Sequence, residues 1–267
     1  MKLSIAKGFL LGLLIFLSSC GEFQRIQKSS DVNKKLEAAF KYYEKKDNYK
    51  ANVLLEEIMP LLKGRPEAEK AQFVFANTYF NDKQYILSSY YFKDLYETYP
   101  RSEYAEQSMY MHVKSLYMDS PSYKLDQSNT EEALQAIQMF SVRYPQSPYM
   151  EEINQMTDEL NAKTEYKAFE NARLYYKIGV YKSAVVSLGT FLDRYPSGKY
   201  SEEALFTQFQ AQYNLAKNSV LRLQKERYNT ALEFYYEFID KYPDSKFKKD
   251  AEDLYDKITE RLKNLQS

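Results

Sequence analysis

The dipeptide Tyr-Pro occurs at 99–100, 144–145, 195–196 and 242–243, and each time it closes the same apolar pattern. Four residues before the tyrosine stand Leu95, Phe140, Phe191 and Phe238; seven before stand Phe92, Ile137, Leu188 and Tyr235. Eleven before are Ser88, Ala133, Ala184 and Ala231, always small, and fourteen before are Tyr85, Thr130, Tyr181 and Tyr228. Such spacings keep to one face of an α-helix. The small residue marks where a neighbouring helix can come close. Proline ends each helix, because the residue before it avoids helical angles and its ring cannot continue the hydrogen-bond ladder. Just beyond, Ser102, Ser147 and Ser245, with Gly198 in the third copy, are placed to cap a new helix. Pro148 suits a first helical position. Each copy encodes a helix, a sharp stop and a fresh helix, so the chain is expected to be all-α.

This pattern resembles the second helix of the tetratricopeptide repeat. It departs in carrying Leu or Phe four before the tyrosine, where that repeat usually has a small residue, and wider packing is expected there. First helices match more weakly. Ala76 and Tyr79 fit ahead of Tyr85, and Ala172, Tyr175 and Gly179 fit ahead of Tyr181. Leu36, Phe40, Tyr43 and Asp47 fit ahead of Tyr49, but the next helix slips register and holds Pro60, as suits an atypical terminal repeat. The prolines lie 45, 51 and 47 residues apart, more than the roughly 34 of a standard unit. The excess is expected in a loop over 119–129, in one long helix between Tyr149 and Ile178, and around Lys217 to Gln224. The resemblance implies a tetratricopeptide-like α-solenoid of about five helix pairs. The approximate units are 31–64, 66–100, 102–145, 147–196 and 199–243, with a closing helix at 246–265.

Ahead of the repeats, Lys2 and Lys7 precede an uninterrupted apolar run over 8–17. Ten residues are too few to span a bilayer, which takes roughly 20, but suit the core of a signal peptide. The run ends in Leu17-Ser18-Ser19-Cys20, which looks like a bacterial lipobox. Cys20 is the only cysteine, and its thiol is the expected acceptor of a diacylglycerol. Two or three acyl chains anchor stably where one does not. Residues 1–19 therefore read as a lipoprotein signal peptide, 20–30 as a lipidated tether and 31–267 as the repeat domain. With Cys20 spent on lipid, no disulfide and no thiolate metal site remain. Residue 21 is Gly rather than the Asp that retains many bacterial lipoproteins in the inner membrane, and no acidic run follows. Known sorting rules then point to the outer membrane, facing the periplasm.

Removing the two signal lysines leaves 35 basic against 37 acidic residues. That balance offers no footprint for nucleic acid and no polybasic membrane patch. Tyr is used 27 times, Phe 16 and Trp never. A tyrosine can bury its ring and keep its hydroxyl wet, which suits thin two-layered helical structures; habitual use of Tyr in the core accounts for it equally. Catalysis finds little material. His112 is the sole histidine and sits mid-helix. The pairs Glu131-Glu132, Glu151-Glu152 and Glu202-Glu203 fall near helix starts, where acids favour the positive end of the helix. No phosphate-binding glycine loop occurs. The expectation is a non-enzymatic protein without cofactor or metal.

A curved repeat stack is a binding surface. The repeat's groove-facing positions, carried over to this chain, are Lys41 in the first unit and Phe73, Asn77 and Phe80 in the second. In the fourth they are Tyr166, Phe169, Arg173 and Tyr176. Aromatics with Arg and Asn suit an extended peptide ending in an aromatic or a carboxylate; the same rings could equally pack against neighbouring helices. A lipobox, repeats starting almost at once, five helix pairs and Tyr-Pro-x-Ser breaks together resemble the BamD family. That family is the lipoprotein subunit of the machine that assembles β-barrels in the outer membrane. The resemblance implies a scaffold without catalysis. Its amino-terminal units would receive unfolded barrel proteins, and its carboxy-terminal units would dock on the barrel-forming subunit. Two alternatives stay open: a scaffold like the tetratricopeptide coordinator of the Tol-Pal system, and a glycan-capturing lipoprotein. The lipobox and the absence of Trp argue against them respectively.

Overall fold

The computed structural model describes residues 21–265, so the signal segment and Cys20 lie outside the described residues. Its helices are α1 (Val32–Glu44), α2 (Asn48–Ile58), α3 (Ala68–Asn81), α4 (Tyr85–Thr98), α5 (Ala105–Asp119) and α6 (Ser128–Arg143). They continue as α7 (Met150–Lys177), α8 (Tyr181–Arg194), α9 (Ser201–Lys217), α10 (Leu221–Lys241) and α11 (Lys248–Asn264). A 3-10 turn, Met59–Leu61, follows α2, and residues 21–27 are also helical. No strand occurs among the described residues. The fold is all-α and built of helical pairs. An amino-terminal unit runs to Pro121 and adds Asp126–Thr157; a carboxy-terminal unit holds Ser122–Leu125 and continues from Asp158. In the first unit the helices pack in sequence from α1 on α2 through α5 on α6, and α1 also touches α3. In the second, α8 to α11 do the same, and α9 also touches α11. Neighbour and alternate contacts together make the two layers of a repeat stack.

The face traced by the Tyr-Pro pattern is the buried one. Phe92, Leu95, Phe140, Leu188 and Phe238 are fully enclosed, and so are Ser88, Ala133, Ala184 and Ala231. The close approach at the small position is visible at Ser88. Its hydroxyl donates to the Ala76 carbonyl on α3 (3.2 Å) and accepts from Ser115 on α5 (3.0 Å). All four tyrosines leave the helix in nearly one conformation, with φ between −123° and −132° and ψ between 61° and 66°. Each still donates its N–H to the carbonyl four residues back, at 2.8–2.9 Å.

The serines act one step earlier than a helix cap. Ser102, Ser147 and Ser245 accept from the N–H of Tyr104, Tyr149 and Phe247 at 3.1, 3.2 and 3.0 Å. They order the turn, while α5 and α11 start without a side-chain cap. Pro148 likewise stands before α7, which begins at Met150. In the third copy Gly198 has no hydroxyl to offer. The Glu165 carboxylate of α7 takes its place and accepts from Tyr200 N–H at 3.1 Å. A Cβ at Gly198 would collide with that carboxylate, whose Cδ lies 2.8 Å away.

Turns within pairs share a second device. Lys46, Lys83 and Gly179 adopt φ of 61°, 59° and 78°. The following N–H reaches back five residues, Asp47 to Tyr42, Gln84 to Tyr79 and Val180 to Tyr175, each at 2.9 Å. This is the Schellman closure, which satisfies the last carbonyls of a helix.

Residues 21–30 are not a loose tether. Phe23 and Ile26, three apart and so on one helical face, are buried in the same core as Leu36, Leu54 and Phe75. The Phe23 ring stands edge-on to Tyr42, with the Lys50 ammonium over both rings. The link to α1 is tied as well: Ser29 N–H bonds to Ile26 O at 3.0 Å, and Asp31 caps α1 through Lys34 N–H at 3.1 Å. Burying such side chains contributes about 1.5–3 kcal/mol each, enough to hold a short helix in place.

Two predictions follow from this packing. Gly198→Ala displaces Glu165 and offers Tyr200 N–H no replacement acceptor, which costs roughly 1–2 kcal/mol. Gly198→Ser costs clearly less, because its hydroxyl restores the arrangement of the other copies; Glu165→Ala should then be near neutral in that background. Urea unfolding of the native chain and these three variants measures this, and equal losses for Ala and Ser would refute the substitution argument. The second concerns His112 on α5, which shares Nδ1 with the Ser89 hydroxyl (2.9 Å) and carbonyl (3.1 Å). Burial pushes its pKa down from 6.5 to about 4. Above pH 6.5 it is neutral whether folded or not. As pH falls from there through about 4, only the unfolded chain gains the proton, and stability drops by roughly 3 kcal/mol. Between pH 7 and pH 4 the native chain should lose that much more than His112→Gln; parallel pH profiles would show that the histidine is not responsible.

Candidate functional site

Four rings recur at matching places in the stack. Phe73 on α3 stacks on Tyr104, with centroids 5.0 Å apart; Tyr110 on Tyr149, at 4.0 Å; Phe169 on Tyr200, at 5.1 Å; and Phe206 on Phe247, at 4.8 Å. The second ring in each case stands five residues after the Tyr-Pro tyrosine. The first ring also leans on the core of its own pair, against Phe92, Phe140, Phe191 and Phe238 in turn. The expected groove residues Phe73 and Phe169 thus belong to a ring ladder that joins one pair to the next. Phe169 is only 1% exposed and has no face to offer a ligand.

The second acid of two helix-start pairs is used to bridge helices. Glu152 accepts from the Tyr110 hydroxyl and pairs with Lys114 at 2.9 Å, and these bonds hold its pKa below the usual carboxylate value. Glu203 pairs with Arg173 at 2.6 Å. Arg173 also meets Glu170, which Lys177 approaches at 3.0 Å, and its guanidinium lies 4.9 Å over the Phe169 ring. Two cations face two carboxylates, so the arginine expected to receive a terminal carboxylate is already paired. Tyr166 edges Tyr123 and leans on Tyr200. Tyr176 packs against Tyr181.

In the amino-terminal unit, Phe73, Asn77 and Phe80 share one half-buried face of α3. The Asn77 amide donates to the Phe73 carbonyl at 2.8 Å, and Phe80 stands edge-on to Tyr85 at 5.5 Å. Lys41 is elsewhere. It is exposed on α1 and lines a recess of ≈ 240 Å³ with Glu22, Ile26, Lys34, Glu37 and Lys45. Among the surfaces left open by the ladder are the Asn77–Phe80 end of α3 and an apolar patch at the α7–α8 turn.

That patch escaped the sequence pattern. Leu174, Tyr175, Ile178, Val180 and Val186 are 42–63% exposed around the α7–α8 turn. Beside them runs a groove of ≈ 290 Å³ floored by Ala168, Ala172 and Phe191. The outward positions of α7 and α8 could have disclosed it, since apolar residues there lie off the buried face. His112 is enclosed and faces Ser89 and Tyr96. Among the described residues no group of His, Cys, Asp and Glu is placed to hold a metal, and no helix is long and apolar enough to cross a membrane.

A model of the outer membrane lipoprotein family YfiO matches residues 29–226 and again 170–265. A protein of Aquifex aeolicus (strain VF5) named as outer membrane protein assembly factor BamD is 25% identical over 231 residues, covering 86% of this chain and 74% of that protein. A crystal structure described as a Podosopora anserina kinesin light chain with nearly identical TPR-like repeats aligns over 88% of this chain and 97% of its own, at 14% identity and a TM-score of 0.33.

The ladder separates packed rings from presented ones. Phe169→Ala should cost roughly 3–5 kcal/mol, as for other enclosed aromatics, and Phe80→Ala about 1 kcal/mol, as for a surface contact. Chemical denaturation of both variants reads the difference, and similar losses would contradict the assignment.

Proposed function

Since the chain belongs to the YfiO family of outer membrane lipoproteins, we propose that it is a non-enzymatic subunit of the machinery that assembles β-barrels in that membrane. It is anchored through acylated Cys20 and faces the periplasm. The reading is supported by the named assembly-factor relative and by the way the molecule distributes its side chains. Its one histidine is enclosed, and its strongest charge clusters join helices to one another. What remains for a partner is surface.

The open end of α3, with Asn77 and Phe80, is the proposed seat for the terminal segment of an unfolded barrel protein. A half-buried ring beside an amide suits an extended chain that ends in an aromatic residue. The apolar patch of Leu174, Tyr175, Ile178, Val180 and Val186 is the proposed contact for the barrel-forming subunit. A cluster of exposed aliphatics with one tyrosine is the composition of an interface centre. The observation that carries this division is that the patch stands in the carboxy-terminal unit and Asn77–Phe80 in the amino-terminal one.

The test is affinity purification from detergent-solubilised outer membranes, with mass spectrometry of stoichiometric partners. The native chain should bring down a large outer-membrane barrel protein with periplasmic domains. Leu174→Ser with Val186→Ser should lose that partner at least tenfold while still binding a barrel-terminal peptide. Phe80→Ala should do the reverse. Recovery of Tol-Pal components or of a glycan transporter instead would sink the proposal.

A further inference from the structure

We propose that the lipid anchor is coupled rigidly to the first helical pair, so that the recess of Lys34, Lys41 and Lys45 on α1 lies at the phospholipid headgroups. The inference rests on the reading of Cys20 as acylated. Phe23, only three residues beyond that cysteine, is already buried, and Ile26 follows it into the same core. The segment then turns into α1 through bonded backbone and the Asp31 cap. From Gly21 onward the described chain is helical and packed, with no loose segment ahead of the fold.

Reach decides the rest. Glu22 lines the recess together with Lys34, Lys41 and Lys45, and two residues of extended chain span at most about 7 Å. The thioether of an acylated Cys20 belongs at the boundary between acyl chains and headgroups, so the recess cannot lie far below the headgroup layer. Three ammonium groups against the carboxylates of Glu22 and Glu37 leave it net positive. That is the complement of phospholipid phosphates. Close anchoring supplies the proximity that so modest a charge could not achieve alone.

The experiment uses the full lipidated chain in vesicles of phosphatidylethanolamine and phosphatidylglycerol that carry a headgroup-attached quencher. Because Cys20 is the only native cysteine, Glu44→Cys supplies a single free thiol beside Lys45 for a fluorophore. Strong quenching is expected with native spacing, falling at least threefold when a ten-residue Gly-Ser linker is inserted between Cys20 and Gly21. Lys34→Glu, Lys41→Glu and Lys45→Glu together should weaken quenching in these vesicles but not in purely zwitterionic ones. Equal quenching with and without the linker overturns the rigid coupling, and insensitivity to charge reversal overturns the headgroup contact. Intact mass of the purified chain is read alongside. Absence of acyl groups on Cys20 would overturn the anchor reading itself, and with it this proposal, and is thereby told apart from a failure of the geometry alone.

Discussion

The step from tyrosine to proline governs this molecule. Proline forbids the preceding residue its helical conformation, and all four tyrosines answer with nearly the same φ and ψ. The helix therefore stops at a fixed point relative to its own buried face. The chain reverses through a turn of fixed length, and the aromatic five residues later falls on a ring of the preceding pair. A backbone restriction on one residue thus becomes a side-chain stack between layers. Without the sharp stop, the small residue eleven positions earlier would have no fixed neighbour, and contacts such as Ser88 to Ala76 would lose their register.

This is why so much of the fold could be read from residue order. Periodicity reports which face is buried, and proline reports where the helix ends; both are local, and neither depends on distant parts of the chain. What escaped was decided by tertiary partners. Nothing near Gly198 in sequence indicates that Glu165, thirty-three residues earlier, would supply the acceptor a serine supplies elsewhere. Nothing near Arg173 indicates that Glu203 would pair with it. The serines were legible as caps of the next helix, but not as acting before that helix rather than on it. The helical segment over 21–27 was hidden by brevity, since two apolar residues are too few to establish a period.

The same distinction runs through the candidate site. Aromatics at groove positions looked like ligand contacts because a repeat's concave face is where partners bind. Here the next pair claims Phe73 and Phe169 first, since a stacked, enclosed ring gains more from burial than an exposed one waiting for a peptide. Arg173 shows the electrostatic version. A guanidinium over a phenyl ring has both terminal nitrogens paired with carboxylates, although its buried Nε keeps an unpartnered N–H, and a ligand carboxylate would have to displace one of the pair. A sequence position can be on the right face and still be spoken for.

Subtracting packed rings and paired charges leaves the surfaces that bear on function. On α3 the ladder takes Phe73 and leaves Asn77 and Phe80. At the α7–α8 turn, the buried face takes Ala172, Ala184 and Leu188, leaving Leu174, Tyr175, Ile178, Val180 and Val186 with no use inside the carboxy-terminal unit. Exposed aliphatics lower solubility unless something covers them. All five residues fall between 174 and 186, on either side of one turn, and that concentration is why the proposed interface is placed there. The proposed assembly role asks for both a seat for a passing chain and a firmer hold on a resident partner. A half-buried ring beside an amide fits the first need, and a clustered apolar turn fits the second.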